Sequence, residues 1–223
     1  NKAIELKPDY AEAHNNLGNT LNNLGRYEEA IVSYNKAIEL KPDYAEAHNN
    51  LGYVLNELGE REEAINSYNK AIGLQPDFTE AYYNLGIALT TIKVKAFSKV
   101  LAKNYLDVLN FENIVEPISI VRPIITLLKY HDTIKEVISC NAQNTLKDLA
   151  AEFCVRLSKI PLFLRVLEVC PILDLKLEDV LIELRKILLL KRKKLSTNND
   201  LLHFQIALAL QCFTNEFIYQ ETQ

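Results

Sequence analysis

The sequence predicts an all-α protein: a helical solenoid followed by an irregular all-α helical domain. Three observations carry this. Residues 1–18, "NKAIELKPDYAEAHNNLG", recur unchanged at 35–52, an offset of 34 residues. Beyond residue 110 the apolar spacing is helical. No alternating apolar and polar run with turn punctuation, the mark of a sheet, occurs among the 223 residues.

The period continues at 71–86 as "AIGLQPDFTEAYYNLG". Repeats of this length, with paired helices, build arrays in which each repeat packs on its neighbours. Gly18, Gly52 and Gly86 fall inside helical patterns, where glycine costs about 1 kcal/mol relative to alanine. A glycine kept there at every period implies that another backbone packs against it. Ala30 with Ala37, and Ala64 with Ala71, place small residues on one helix face and allow close approach of a neighbour. The "KPDY" and "QPDF" steps are expected to stop one helix and launch the next, because proline favours a helix start and the residue before it leaves the α region. Leu17, Gly18, Leu21, Tyr27, Ala30, Tyr34, Ala37 and Pro42, then Leu51, Gly52, Leu55, Ala64, Tyr68, Ala71 and Pro76, resemble the motif positions of the tetratricopeptide repeat (TPR) family. The resemblance implies an α-α superhelix whose first helices line a concave groove that binds a protein or peptide.

The expected organisation is a partial repeat at 1–10, full repeats at 11–44 and 45–78, a divergent repeat at 79–110, and an all-helical domain at 111–223. The third repeat departs because Lys93 stands where Gly25 and Gly59 stood, Tyr105 where Ala37 and Ala71 stood, and Asn110 where Pro42 and Pro76 stood. Its first helix is expected at about 79–92 and its second at about 95–109, with the domain boundary near 110, since all six glycines lie at or before Gly86. Later helices are expected near 118–130, 132–140, 145–157, 161–169, 177–193 and 200–219, with Pro123 opening one of them. The chain opens inside a repeat and holds no Met, so it reads as a piece of something longer.

The stretch "HNNLGNTLNNLG" at 14–25 is rich in asparagine, a poor residue for a helix interior. At about 100° per residue, Asn15, Asn16, Asn19, Asn22 and Asn23 fall within an arc of roughly 120°, nearly opposite Ala13, Leu17, Leu21 and Leu24. This is an amphipathic helix with an amide face rather than a loop. The next repeat keeps Asn49, Asn50 and Asn56 and adds Tyr53; the third keeps Asn84 beside Tyr83. These eleven residues are the candidate peptide-binding set. Asn16, Asn50 and Asn84 recur once per period, and a row of carboxamides matches the C=O and N–H of an extended peptide. Such a row resembles the asparagine ladders of the arrays in protein O-glycosyltransferases. Replacing the three by alanine is then expected to leave folding intact or improved. The alternative is neutral enrichment of asparagine on a solvated face, since Lys, Ile and Asn are plentiful throughout. The carboxylate-clamp subtype is disfavoured, because the arc carries no Lys or Arg. His14 and His48 are expected to pack rather than to bind a ligand.

A formal charge of −4 provides no basic field for nucleic acid, and "KRKK" at 191–194 suits a helix end. No segment approaches the roughly 18–20 apolar residues of a membrane span. Cys140, Cys154, Cys170 and Cys212 make no metal-ligand spacing and read as buried, reduced thiols of a cytoplasmic protein. Glu178, Asp179 and Glu183 read as a solvated helix face near Arg185 and Lys186. The blocks "IVRPIITLLKYHDTIKEVI", "IPLFLRVLEVCPILDL" and "ALALQCFTNEFIYQET" resemble the helical region that precedes a class I S-adenosylmethionine-dependent methyltransferase domain in bacterial and algal TPR–methyltransferase fusions. That resemblance implies a substrate-recruiting region whose catalytic domain lies beyond residue 223. The chain itself has no glycine after Gly86 and hence no glycine-rich turn for the cofactor. The expectation is a non-catalytic scaffold with no cofactor and no metal, binding a protein or peptide, with neither nucleic acid nor membrane as partner. Uncapped solenoid ends can also pair between chains.

Overall fold

A computed structural model describes residues 2–111, 117–142, 145–170, 172, 174–190 and 204–209. Regular structure among these residues is helical, without strands. The chain divides into two compact units, Asn1–Ile92 and Lys93–Gln223.

The first unit holds α1 (Lys2–Leu6), α2 (Ala11–Asn23), α3 (Tyr27–Leu40), α4 (Ala45–Glu57), α5 (Arg61–Leu74) and α6 (Thr79–Thr91). Helix α2 pairs with α3 and α4 with α5, while α3 packs on α4 and α5 on α6. The turn inside each pair needs glycine. Gly25 and Gly59 sit at φ 70° and 85°, the left-handed region that a Cβ disfavours. The Gly25 N–H donates to the Asn22 carbonyl and that of Arg26 to Leu21, both at 2.9 Å. Gly59 and Glu60 repeat the pattern onto Asn56 and Leu55. These crossed bonds satisfy the last carbonyls of the helix and reverse the chain.

Lys93 cannot take that turn cheaply. Helix α6 instead ends through Ile92 in extended conformation, φ −67° and ψ 138°. The following helix, α7 (Lys99–Asn110), starts four residues after the expected position 95. The division between the two compact units falls here, at Ile92/Lys93. The proline steps also differ from expectation. Pro42 lies in a turn closed by Tyr44 N–H donating to the Lys41 carbonyl at 3.1 Å, and helix α4 begins only at Ala45. The proline stops one helix without serving as the first residue of the next.

Gly18 and Gly52 lie under an aromatic ring, not a backbone. A Cβ on Gly18 would stand 2.5 Å from Cε1 of Tyr34, and one on Gly52 2.7 Å from Cε1 of Tyr68. The two tyrosines are 1% exposed, between alanines 30, 37, 64 and 71, which are fully buried. Burial, with Glu46 adding to it, pushes the Tyr34 phenol up to about 12. Burial raises Tyr68 and Tyr105 as well. A phenol raised above its unfolded value of about 10 stabilises the fold fully below that pH, and the contribution fades as pH climbs to the folded value. Thermal stability followed by circular dichroism is therefore expected to hold to about pH 10 and fall towards pH 12, with tyrosinate absorbance rising as helix is lost. Full tyrosinate absorbance with helix intact would contradict this.

The second unit holds α7, α8 (Pro117–Lys129), α9 (Asp132–Ala142), α10 (Leu146–Leu157), α11 (Pro161–Val169) and α12 (Leu175–Leu190), and residues 204–209 are also helical. Pro123 does not open a helix; it lies inside α8, which begins at Pro117. A proline there removes a hydrogen bond and costs about 3 kcal/mol. The fully buried Ile120, Val121, Ile124, Leu127 and Leu128 on the same helix offset that at about 1.5–3 kcal/mol each. Arg165 Nη2 donates to the Leu109 carbonyl at 3.1 Å, satisfying the end of α7 from α11. Lys129 meets Asp174 at 2.6 Å, and Asp174 caps α12 through the Leu177 N–H. Cys154 and Cys170 are buried thiols pushed up to about 12 by burial. Asp179 is exposed, and Glu183 pairs with Lys186 at 2.6 Å. The run at 191–194, His203, Cys212 and most of the expected helix at 200–219 lie outside the described residues.

Candidate protein-binding face of the first helices

Helices α2, α4 and α6 are the first helices of successive repeats, and amide hydrogen bonds join them side by side. Asn50 Nδ2 donates to Asn15 Oδ1 and to Asn19 Oδ1, each at 3.1 Å, tying α4 to α2. One period on, Asn84 Nδ2 donates to Asn49 Oδ1 at 3.0 Å, tying α6 to α4. The accepting asparagines donate in turn: Asn15 Nδ2 to Glu46 Oε1 and Asn49 Nδ2 to Glu80 Oε1, both at 3.1 Å. The Tyr34 hydroxyl, emerging past Gly18, donates to Asn19 Oδ1 at 2.8 Å.

The asparagine arc is thus divided between two jobs. Asn15, Asn49 and Asn84 are buried, at 0%, 1% and 9% exposure, and Asn50 is half-buried with its amide engaged. Asn19 is half-buried and accepts two hydrogen bonds. Asn16 and Asn23 are exposed, Asn22 and Asn56 half-buried. Much of the arc is therefore an inter-repeat seam, which a wheel of one helix cannot reveal. A first helix in an array buries one flank on its own second helix and another on the next first helix. Leu24, placed on the apolar side by the same wheel, is 65% exposed.

The side chains that remain outward on this face are aromatic and aliphatic as well as amide. Tyr53 is 42% exposed, Tyr83 50% and Ile87 40%. Tyr83 stands beside the seam residue Asn84 on α6, and Tyr53 lies one turn beyond Asn49, to which Asn84 donates. Burial holds the Tyr68 hydroxyl above the usual phenol range, and Tyr53, Glu57 and Glu80 add to that rise. Ile87 belongs to the same surface but lay outside the candidate set; its position one period after Tyr53 was the available signal. His14 and His48 are half-buried, and each donates from Nε2 to a proline carbonyl of the preceding turn, Pro8 at 2.9 Å and Pro42 at 3.2 Å. They brace the turns between repeats.

Among the described residues no helix is long and apolar enough to cross a membrane, and no group of three or more His, Cys, Asp and Glu is placed to hold a metal. Residues 18–59 and 52–91 match the family described as TPR repeat, and residues 1–32 match the family described as tetratricopeptide repeat. No curated protein matches the chain. Among solved structures, YrrB, described as a TPR protein with an unusual peptide-binding site, is 18% identical with a TM-score of 0.40, over 93% of this chain and 89% of that one. The 34-residue period, the helix pairs reversed at Gly25 and Gly59, and the matched models agree for the same stretch: residues 1–91 carry tetratricopeptide repeats.

Proposed function

We propose that the chain is a non-catalytic recognition module that binds an extended protein segment across the first helices α2, α4 and α6. The observation that carries this is the exposure of Tyr53, Tyr83 and Ile87 together on the face whose amide seam holds the three helices in register. Half-exposed tyrosines bring large contact area at small entropic cost, which is why they recur at binding hot spots. Asn16 and Asn23, with Asn22 and Asn56 beside them, supply free carboxamides for the backbone of the bound segment. The seam asparagines Asn15, Asn49, Asn50 and Asn84 hold the surface in shape. If the chain is the recruiting region of a methyltransferase, the same face does the recruiting, so the reading of the repeats is common to both.

A random peptide library displayed on phage and selected on the full chain tests the proposal. Tyr53→Ala combined with Tyr83→Ala is expected to weaken the best selected peptide roughly tenfold or more. Thermal melting should stay close to that of the parent, because both side chains are half exposed. Selected peptides that bind the double variant with full affinity would reject this face as the site.

A further inference from the structure

Helices α2, α4 and α6 contain four glutamates, Glu12, Glu46, Glu57 and Glu80, and no lysine or arginine. Among the described residues, only Glu12 of the four has a cation, Lys41 Nζ at 3.7 Å. One period after Lys41 the chain has Gln75, so Glu46 lacks the corresponding partner. No ion pair involves Glu46, Glu57 or Glu80 among the described residues. Glu46 and Glu80 are held in place by the amides of Asn15 and Asn49, which orient the carboxylates without neutralising them.

The uncompensated charge coincides with the exposed rings. The Tyr68 ring passes under Gly52, so its hydroxyl rises beside Tyr53, as that of Tyr34 rises at Asn19. Glu57 lies one turn beyond Tyr53 on α4, and the chain Asn84–Asn49–Glu80 ties α6 to the turn before it. Tyr53, Glu57 and Glu80 therefore share one patch, and Tyr83 and Ile87 follow Glu80 by one and two turns on α6.

We propose that this patch takes a lysine or arginine side chain of the bound segment: the exposed Tyr53 ring lies against the cation and its stem, and the carboxylates of Glu57 and Glu80 face its charge. An apolar neighbour in the same segment covers Tyr83 and Ile87. A cation between an aromatic face and carboxylates gains from both, whereas an acidic or phosphorylated segment is repelled. The proposal rests on peptide binding by the first helices.

Peptides selected on the full chain should share a Lys or Arg at one position. Changing it to Gln should lower affinity roughly tenfold at low salt, and less as ionic strength rises. On a chain carrying Glu57→Gln and Glu80→Gln, the same peptide change should cost little; Glu80→Gln keeps a carbonyl for Asn49, so the seam survives. An equal loss on both chains overturns the cation site. So do selected peptides without a cation that still depend on Tyr53 and Tyr83, and these would leave peptide binding standing. Indifference to Tyr53→Ala and Tyr83→Ala overturns peptide binding on this face and the cation site together.

Discussion

Tyr68→Ala is expected to destabilise the repeats by about 3–5 kcal/mol, the range for emptying an aromatic site in a core. That is a large fraction of the roughly 5–15 kcal/mol that holds a domain together. Tyr68 is 1% exposed and fills the space over Gly52, so no neighbour can move in without breaking the pairing of α4 with α5. The same contact makes Gly52→Ala unfavourable despite alanine's helix propensity. The added methyl gains about 1 kcal/mol in propensity and costs about 1–3 kcal/mol in overpacking, because it would stand 2.7 Å from the ring. Gly73→Ala is the control: nothing lies within 4 Å of that Cβ, and the change should stabilise by up to about 1 kcal/mol. Denaturant melts of the three variants check the set. Gly52→Ala at least as stable as Gly73→Ala would refute the packing described.

Asn49→Ala is expected to cost about 1–3 kcal/mol, because it leaves the buried Asn84 amide without its acceptor. Asn23→Ala, at an exposed position without such a bond, should be neutral or slightly stabilising. The seam thus alters the sequence-based expectation for alanine at Asn16, Asn50 and Asn84 together. Asn50 and Asn84 hold neighbouring helices, so that triple change should loosen the array rather than improve it. A double-mutant cycle on Asn49 and Asn84 separates their interaction from helix propensity. A coupling energy of zero would mean that the Asn49–Asn84 bond does not hold α6 to α4.

The repeats were legible because the same eighteen residues return at a fixed offset, and because helical apolar spacing does not depend on a partner. Helices near 132–140, 145–157 and 161–169 accordingly lie where expected, at Asp132–Ala142, Leu146–Leu157 and Pro161–Val169. What escaped depends on neighbours. A single helical wheel places Asn15 and Asn49 on the solvated side, whereas the adjoining first helix buries them. The recurring glycine signalled close packing but not that the neighbour was a tyrosine ring sixteen residues on. Pro123 inside α8 defied its local preference because five buried aliphatic side chains on that helix outweigh one missing bond. Lys93 was recognised as a departure, yet its consequence lay in backbone geometry: without a left-handed residue, α6 ends in extended conformation at Ile92. That the candidate residues share one helix face was legible; that the amides of Asn15, Asn49, Asn50 and Asn84 bond between neighbouring helices was not.

Binding on the first helices is tested by mapping backbone amide shifts in the isotope-labelled chain as the best selected peptide is added. The largest changes are expected on α2, α4 and α6, around Asn16, Tyr53, Tyr83 and Ile87. Changes confined to α3 and α5, or to residues beyond Ile92, would contradict it.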